Sequence, residues 1–158
     1  MLFYGDEAGY TNDYSYLNDP SKSYDNRWMH RPQIDWKKHG KIEEAGTVEQ
    51  HIFSATQRLL RIRKSLTEVS DLKNLRWIDT HHHHHVAGFV REQGTKKLLC
   101  LYNFSPQTVH LYGGVFREQG FQFPMFDHWQ NEVCVLEPDR GFLKMESYCF
   151  MLLEERLF

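Results

Sequence analysis

The residues best suited to chemistry lie near the beginning of the chain. Two adjacent carboxylates, Asp6 and Glu7, follow Gly5, and the run from residue 25 to residue 36 then brings arginines together with tryptophans: Arg27, Trp28, Arg31 and Trp36. Carboxylates and guanidinium groups make bidentate hydrogen bonds, and aromatic rings supply flat apolar surface. This mixture is typical of one wall of a sugar-binding site. The alternative is an acidic surface loop whose Asp and Asn side chains cap its own turns.

Asp6 and Glu7 are poorly placed to act as a catalytic pair. A retaining glycoside hydrolase needs two facing carboxyl groups about 5–5.5 Å apart. Adjacent residues on an extended strand point to opposite faces, and the sequence offers no other carboxylate pair on rigid, facing elements. We therefore assign no catalytic residue and expect Asp6 and Glu7 to hold the loop and its arginines in place.

Composition excludes several classes of partner. The 158 residues carry a formal net charge of −2 with basic residues scattered among acidic ones, so we expect no nucleic-acid partner. The apolar stretch at residues 2–4 is too short for a membrane span, and no membrane partner is expected. An odd number of cysteines inside apolar runs argues against a secreted disulfide framework and favours a cytoplasmic protein: Cys100, Cys134 and Cys149.

Five consecutive histidines, His81 to His85, raise a metal hypothesis because imidazole binds zinc and nickel. In an extended segment only His81, His83 and His85 share a face. No cysteine lies nearby to complete a tetrahedral site. We therefore predict an exposed loop between strands, with no physiological metal and no cofactor.

Two kinds of element must position these groups in the first half of the chain. Residues 5–46 predict a long ordered loop, because prolines interrupt any regular pattern while aromatic residues favour packing over disorder. The clearest helix begins at Thr47, which forms a capping-box pattern with Gln50. Apolar residues then recur in steps of three and four, the pattern of a core-facing stripe: Ile52, Ala55, Leu59, Ile62 and Leu66.

From Leu75 onward the apolar period shifts to two, which predicts strands. Gly, Pro, Asn and Asp residues separate eight of them: Leu75–Ile78, Val86–Arg91, Lys97–Asn103, Thr108–Tyr112, Met125–Trp129, Val133–Leu136, Phe142–Met145 and Tyr148–Glu154. The predicted fold class is α+β, mainly β, with an antiparallel β-sandwich formed by these strands.

The order of the motifs resembles a known family. Along the chain these are Tyr4-Gly5-Asp6-Glu7, Asn12-Asp13, Asp25-Asn26-Arg27-Trp28, His30-Arg31-Pro32 and Trp36. Together they resemble the segment after the last barrel strand in the α-amylase family of glycoside hydrolases and glucosyltransferases, most of all its amylosucrase type. The resemblance covers essentially the whole chain, although beyond residue 36 it rests on the element pattern and on Asn103-Phe104-Ser105.

The resemblance implies a domain organisation. Residues 1–74 would be the end of a catalytic (β/α)8 barrel, with its last strand, long loop and last helix, and residues 75–158 the β-sandwich C-terminal domain. A whole barrel needs roughly 250 residues, so the chain is expected to be a C-terminal fragment that begins at a cut. The catalytic carboxylates of the family come from earlier barrel strands, outside this chain.

The resemblance also implies substrate-binding roles. Arg27 matches an arginine that pairs with a carboxylate of the absent barrel half and closes the far end of the glucose pocket. Arg31 matches a family arginine before a proline, with anchoring of the loop as its other role, and Asp6 and Glu7 would support the loop at the barrel rim. The alternative for both arginines is a structural ion pair with a nearby carboxylate, Asp25 or Asp35.

The predicted function is that of a C-terminal fragment of a retaining α-glucoside-active enzyme, acting by amylosucrase-like glucosyl transfer or by hydrolysis. The substrate of the whole enzyme would be an α-glucoside such as sucrose or an α-glucan, and the fragment itself would be non-catalytic. The alternative is a non-catalytic β-sandwich module that binds glucan or a protein. Aromatic residues of unclear placement leave such a surface open: Phe116, Phe121, Phe123 and Trp129. Self-association of a separated fragment is one further expectation.

Overall fold

The computed structural model describes residues 4–71 and 73–155. The chain divides into two compact units, residues 1–61 and residues 62–158. The division falls inside the longest helix, so each unit contains part of it. The strand end predicted at residues 1–3 lies outside the described residues.

The first unit is built from short helical turns. Four are 3₁₀ turns, Asp6–Ala8, Ser15–Asn18, Asn26–His30 and Lys41–Glu43, and the fifth is a short helix, α1 (Trp36–Gly40). Aspartates start two of these turns by accepting backbone N–H groups, since the Asp25 carboxylate accepts from Arg27 N at 3.0 Å and that of Asp35 from Lys37 N at 2.9 Å. The predicted loop is therefore ordered mainly by polar capping.

The predicted helix is α2 (Val48–Ser65). Gln50 N donates to Thr47 Oγ1 at 3.1 Å, which is half of the predicted capping box, while the Gln50 side chain instead donates to Ser54 Oγ at 2.9 Å. No α2 residue is fully buried, and Leu59 on the predicted stripe is exposed. No helix within the described ranges is long and apolar enough to cross a membrane.

Gly9 shows why the turn before Tyr10 needs glycine. Its φ of +63° lies in the left-handed region, and a Cβ built on it would come within 2.4 Å of Ile52 Cδ1. The α2 side chain therefore packs directly against the Gly9 backbone, inside the first unit.

All eight predicted strands are confirmed, with ends that differ by up to two residues. They are β1 (Leu75–Ile78), β2 (Val86–Gln93), β3 (Lys96–Asn103), β4 (Val109–Tyr112), β5 (Met125–Asp127), β6 (Glu132–Cys134), β7 (Phe142–Met145) and β8 (Phe150–Glu154). Six form one sheet in the order β1-β2-β3-β8-β5-β6, β4 pairs with β7, and every pairing is antiparallel. The second unit is thus mostly antiparallel sheet with few helices, as predicted.

The large sheet buries apolar side chains on both faces. On one face, residues of β2, β3 and β8 pack against β4, β7 and one short helix, α3 (Gly113–Glu118), to form the main core: Val90, Leu99, Leu101, Leu153, Leu111, Leu143, Met145 and Phe116. On the other face, Leu98, Cys100 and Leu152 pack against Leu66. The period-two alternation along β3 accounts for this division.

Helix α3 was not predicted, and it determines where two aromatic residues of unclear placement lie. Its first two residues are glycines, Gly113 and Gly114. Such a pair predicts a turn, because glycine has a low helix propensity. Phe116 in α3 and Phe121 after it are fully buried in the main core. They are therefore unavailable for the glucan-binding surface that the sequence left open.

Asn103 organises the turns at one end of the second unit. Its side-chain Nδ2 donates to the carbonyl oxygens of Gln107 and Glu146, both at 2.8 Å. Its Oδ1 accepts from Ser105 N at 3.0 Å and from Ser105 Oγ at 2.8 Å. This buried amide is fully hydrogen-bonded, so the Asn103-Phe104-Ser105 motif has a structural role in joining two turns.

Burial raises the pKa of several ionisable groups in the second unit. The thiols of Cys100 and Cys134 are free, and burial raises the pKa of each to about 12. Burial also raises the pKa of the Asp127 carboxyl, which accepts hydrogen bonds from Trp129 N at 2.8 Å and Leu152 N at 3.3 Å.

Candidate functional site

The turns of the first unit enclose a hollow of about 610 Å³, here called the loop hollow. Its lining combines aromatic rings, cations and carboxylates: Tyr10, Tyr16, Trp28, Lys22, Arg31, Lys38, Asp13 and Asp19. A smaller hollow of about 260 Å³ lies beside it and shares Tyr10, Asn12 and Pro32. The volume of the loop hollow lies in the range of small-molecule sites.

Long-range hydrogen bonds hold the walls of the loop hollow in place. The backbone N–H of Asp13 donates to Met29 O at 2.9 Å, and the Tyr10 hydroxyl donates to Asp35 O at 2.7 Å. His30 Nδ1 lies 3.1 Å from Asn12 Oδ1. These contacts join segments that are 16 to 25 residues apart in the sequence, so the hollow does not depend on a single turn.

Three cations line the loop hollow. The Lys38 ammonium lies 4.7 Å from the centre of the Tyr10 ring and donates to Gly9 O at 3.2 Å. The Arg31 guanidinium and the Lys22 ammonium lie 5.6 Å and 5.2 Å from the Trp28 ring. Contacts of this kind orient a cation by its attraction to the aromatic ring.

The two lining carboxylates are held in their ionised form. Hydrogen bonds from Ser15 lower the pKa of Asp13, and hydrogen bonds from Ser21 lower that of Asp19. Asp19 also pairs with Lys22 at 3.3 Å. The loop hollow therefore places carboxylate acceptors beside cationic donors.

The predicted site residues occupy different places. Arg31 lines the loop hollow and Asp6 lines the smaller one. Glu7 Oε2 accepts from Gly5 N at 3.0 Å and thereby fastens its own turn. Arg27 lines neither hollow. The substrate-binding roles of all four residues remain predictions.

Arg27 forms an ion pair with Asp25. Its Nη2 lies 2.7 Å from Asp25 Oδ2 and its Nε lies 2.9 Å from Asp25 Oδ1. Hydrogen bonds from Arg27 lower the pKa of Asp25 to about 2. The Arg27 side chain is nevertheless 74% exposed. This pair is one of the alternatives that the sequence left open, and it leaves the guanidinium accessible to a further partner.

The histidine run forms an exposed turn between β1 and β2. Asp79 Oδ1 lies 3.4 Å from His83 Nε2 and 3.6 Å from His81 Nδ1. Across residues 4–71 and 73–155, no group of three or more His, Cys, Asp or Glu side chains is arranged to hold a metal ion.

Sequence reasoning missed several residues of the loop hollow, among them Tyr10, Lys22 and Lys38. Tyr10 comes three positions after Glu7 of the Gly5-Asp6-Glu7 motif, so its closeness to that motif was a signal. The two lysines come from separate turns and have no spacing that would connect them. They meet only because the loop folds back on itself.

Several solved structures have a fold similar to that of this chain. No family model matches the chain. The α-glucosyl transfer enzyme XgtA matches 98% of this chain at 16% identity and a TM-score of 0.60, over 32% of its own length. AmyP, solved in complex with maltose, matches 67% of this chain at 10% identity and a TM-score of 0.53, over 20% of its own length.

A third similar structure is AmyB, a noncanonic maltogenic α-amylase from Thermotoga neapolitana. It matches 73% of this chain at 16% identity and a TM-score of 0.50, over 28% of its own length. The chain therefore spans between a fifth and a third of these proteins. At such identities the likeness is one of fold, and the fold is one found in part of α-amylase family glycoside hydrolases and transferases.

Proposed function

We propose that this chain is the C-terminal part of an α-amylase-family enzyme that acts on α-glucosides. In this proposal the first unit supplies one wall of the pocket that binds a glucosyl unit. The observation that carries the proposal is the loop hollow, because part of its lining belongs to the motifs whose order resembles the family: Asn12, Asp13, Trp28, Arg31 and Pro32. The shared fold over 98% of the chain supports the wider assignment.

The chemistry of the loop hollow suits a neutral sugar ring. Asp13 accepts hydrogen bonds from hydroxyl groups, whereas Arg31 and Lys38 donate to them. The rings of Trp28 and Tyr10 supply flat apolar surface for the C–H face of a pyranose. Hydrogen bonds from the Tyr10 hydroxyl and the Asp13 backbone already hold the walls of the loop hollow in place. Less conformational entropy is therefore lost when a sugar binds.

The partly exposed apolar stripe of α2 supports a larger parent protein. An amphipathic helix is stable in water mainly when its apolar face packs against another element. In this chain no α2 residue is fully buried, and Leu59 on the stripe is exposed. In the proposed enzyme the barrel wall would cover this stripe and would also carry the catalytic carboxylates.

The finer proposal is an amylosucrase-like parent that transfers a glucosyl unit with retention of configuration. It rests on the resemblance of the Arg27 and Arg31 motifs. The ion pair of Arg27 with Asp25 leaves the guanidinium accessible, so pairing with a carboxylate of the barrel is sterically open. Sucrose would then be the donor, with glucans as acceptors.

The proposal is tested by NMR titration of this chain with maltose and sucrose. We expect weak binding, with chemical-shift changes at the residues lining the loop hollow. The variant Arg31→Ala should weaken binding about tenfold, which corresponds to 1.4 kcal/mol. The matched control Arg63→Ala removes an exposed arginine of α2 and should leave binding unchanged.

Two outcomes would contradict the proposal. One is the absence of shift changes in the loop hollow at saturating sugar. The other is cleavage of sucrose or maltooligosaccharides by this chain well above background, because we assign no catalytic residue to it.

A further inference from the structure

We infer that a second saccharide site lies in the β-sheet unit, in the hollow between Trp77 and Phe104. This hollow, here called the histidine hollow, has a volume of about 250 Å³ and includes His83, His84 and His85 in its lining. The volume is enough for a single sugar ring. The hollow lies wholly within the second unit, so its existence does not depend on the proposed function of the loop hollow.

Two large aromatic side chains at this hollow remain exposed, although both are held in position. Trp77 is 66% exposed and Phe104 is 69% exposed. Trp77 packs edge-on against Phe89 at 5.5 Å between ring centres, and Phe104 stacks on Tyr102 at 6.1 Å. Phe89 and Tyr102 stack on each other at 5.7 Å. The inner rings therefore fix the outer rings without covering them.

The histidine turn is fastened by backbone hydrogen bonds. His85 N and Val86 N both donate to His82 O at 2.8 Å, and Phe104 N donates to His85 O at 2.8 Å. Thr80 Oγ1 donates to Val86 O at 3.1 Å. The turn is thus bonded directly to the backbone of Phe104, and the hollow is formed before any ligand arrives.

The lining indicates the chemical class of the ligand. It contains no Lys, Arg, Asp or Glu side chain, so a phosphate or carboxylate ligand would find no lysine or arginine to pair with. The imidazoles of His83 and His84 are exposed and offer both donors and acceptors. Exposed aromatic rings beside imidazoles that can donate and accept hydrogen bonds match a neutral saccharide. The choice of an α-linked glucan among saccharides rests on the proposed function.

The test is calorimetric titration of the whole chain with maltohexaose, in the presence of EDTA so that metal bound by the histidines plays no part. We expect saturable binding that Trp77→Ala and Phe104→Ala each weaken about tenfold. Both side chains are mostly exposed, so the variants should fold, and circular dichroism checks this. The control Tyr112→Ala removes an aromatic residue that is 53% exposed on β4, outside the histidine hollow, and should bind like the unmodified protein.

His83→Ala and His84→Ala provide a second measurement that does not disturb the aromatic packing, and each should also weaken binding. The inference is overturned if maltohexaose does not bind, if EDTA abolishes binding, or if Trp77→Ala and Phe104→Ala fold and bind normally. Loss of binding in Arg31→Ala alone would overturn this inference while supporting the loop hollow. Binding of cellohexaose with equal strength would support the saccharide site but contradict the α-glucan choice.

Discussion

The two units of this chain are stabilised by different interactions. Among the described residues, Ala8 is the only buried apolar residue of the first unit, whereas the second unit contains two apolar clusters. The first unit is held instead by tyrosine hydroxyls, aspartate caps and ion pairs. The loop hollow is therefore shaped by polar contacts, and most of the folding free energy comes from the apolar clusters of the sheets.

The largest expected effect is on the free energy of unfolding, and it is found by truncating one leucine in each unit. Leu101→Ala removes a fully buried side chain from the main core and should lower the free energy of unfolding by about 2–5 kcal/mol. Leu17→Ala removes an exposed side chain from a 3₁₀ turn and should change it by less than about 0.5 kcal/mol. Urea unfolding followed by circular dichroism measures both. Similar losses in the two variants would contradict the comparison.

The second largest effect on stability is expected from a buried polar side chain of the second unit, Asn103. Asn103→Ala removes four hydrogen bonds and leaves buried partners unsatisfied, so it should cost about 2–4 kcal/mol. The control Asn18→Ala removes an exposed asparagine from the first unit and should have little effect. Thermal unfolding of the two variants gives the difference. A stability loss below that of the control would show that the turns do not depend on Asn103.

A smaller, pH-dependent effect is expected at Asp127. Its pKa is raised in the folded state, so the wild-type protein loses stability as the pH rises from the unfolded pKa of about 3.9 through the folded pKa. Asp127→Asn keeps an acceptor for Trp129 N and does not ionise. The stability of the variant relative to wild type should therefore increase with pH above about 4 and then level off. Urea unfolding between pH 4 and pH 8 measures this, and a difference independent of pH would contradict it.

The smallest effect on stability is expected at the Arg27–Asp25 pair, because Arg27 is largely exposed. The pKa of Asp25 is lowered to about 2, so the stabilising contribution of the pair is present above the unfolded pKa and is lost as the pH falls through about 2. In Arg27→Ala the pKa of Asp25 should rise toward about 3.9. Carbon-13 NMR titration of the Asp25 carboxyl measures this shift. An unchanged midpoint would mean that other groups set the pKa.

The strands could be predicted from the sequence because each carries its own signal. Alternation along β2 and β3 places Val90 and Leu99 on the core face, and that alternation is present in the amino-acid sequence itself. Helix α2 was equally visible through Thr47 and its apolar stripe. Helix α3 was not, because Gly113 and Gly114 at its start favour a turn, and only packing of Phe116 into the core overrides that preference.

The site could be predicted only in part, because its residues come from separate turns. Arg27 and Arg31 were identified through motif order, yet Arg31 lines the loop hollow and Arg27 does not. Lys22 and Lys38 reach the hollow through contacts with Trp28 and Tyr10 that no spacing encodes. Trp77 and Phe104 form the histidine hollow only after β1, β2 and β3 have paired.

The free cysteines have a practical consequence. All three lie in the second unit, and the thiols of Cys100 and Cys134 have a pKa of about 12. Alkylating reagents attack the thiolate, so at pH 8 both thiols should react slowly until the sheets open. Their rate of modification would therefore act as an internal clock for the opening of the second unit alone, and it could be read by mass spectrometry without any added label.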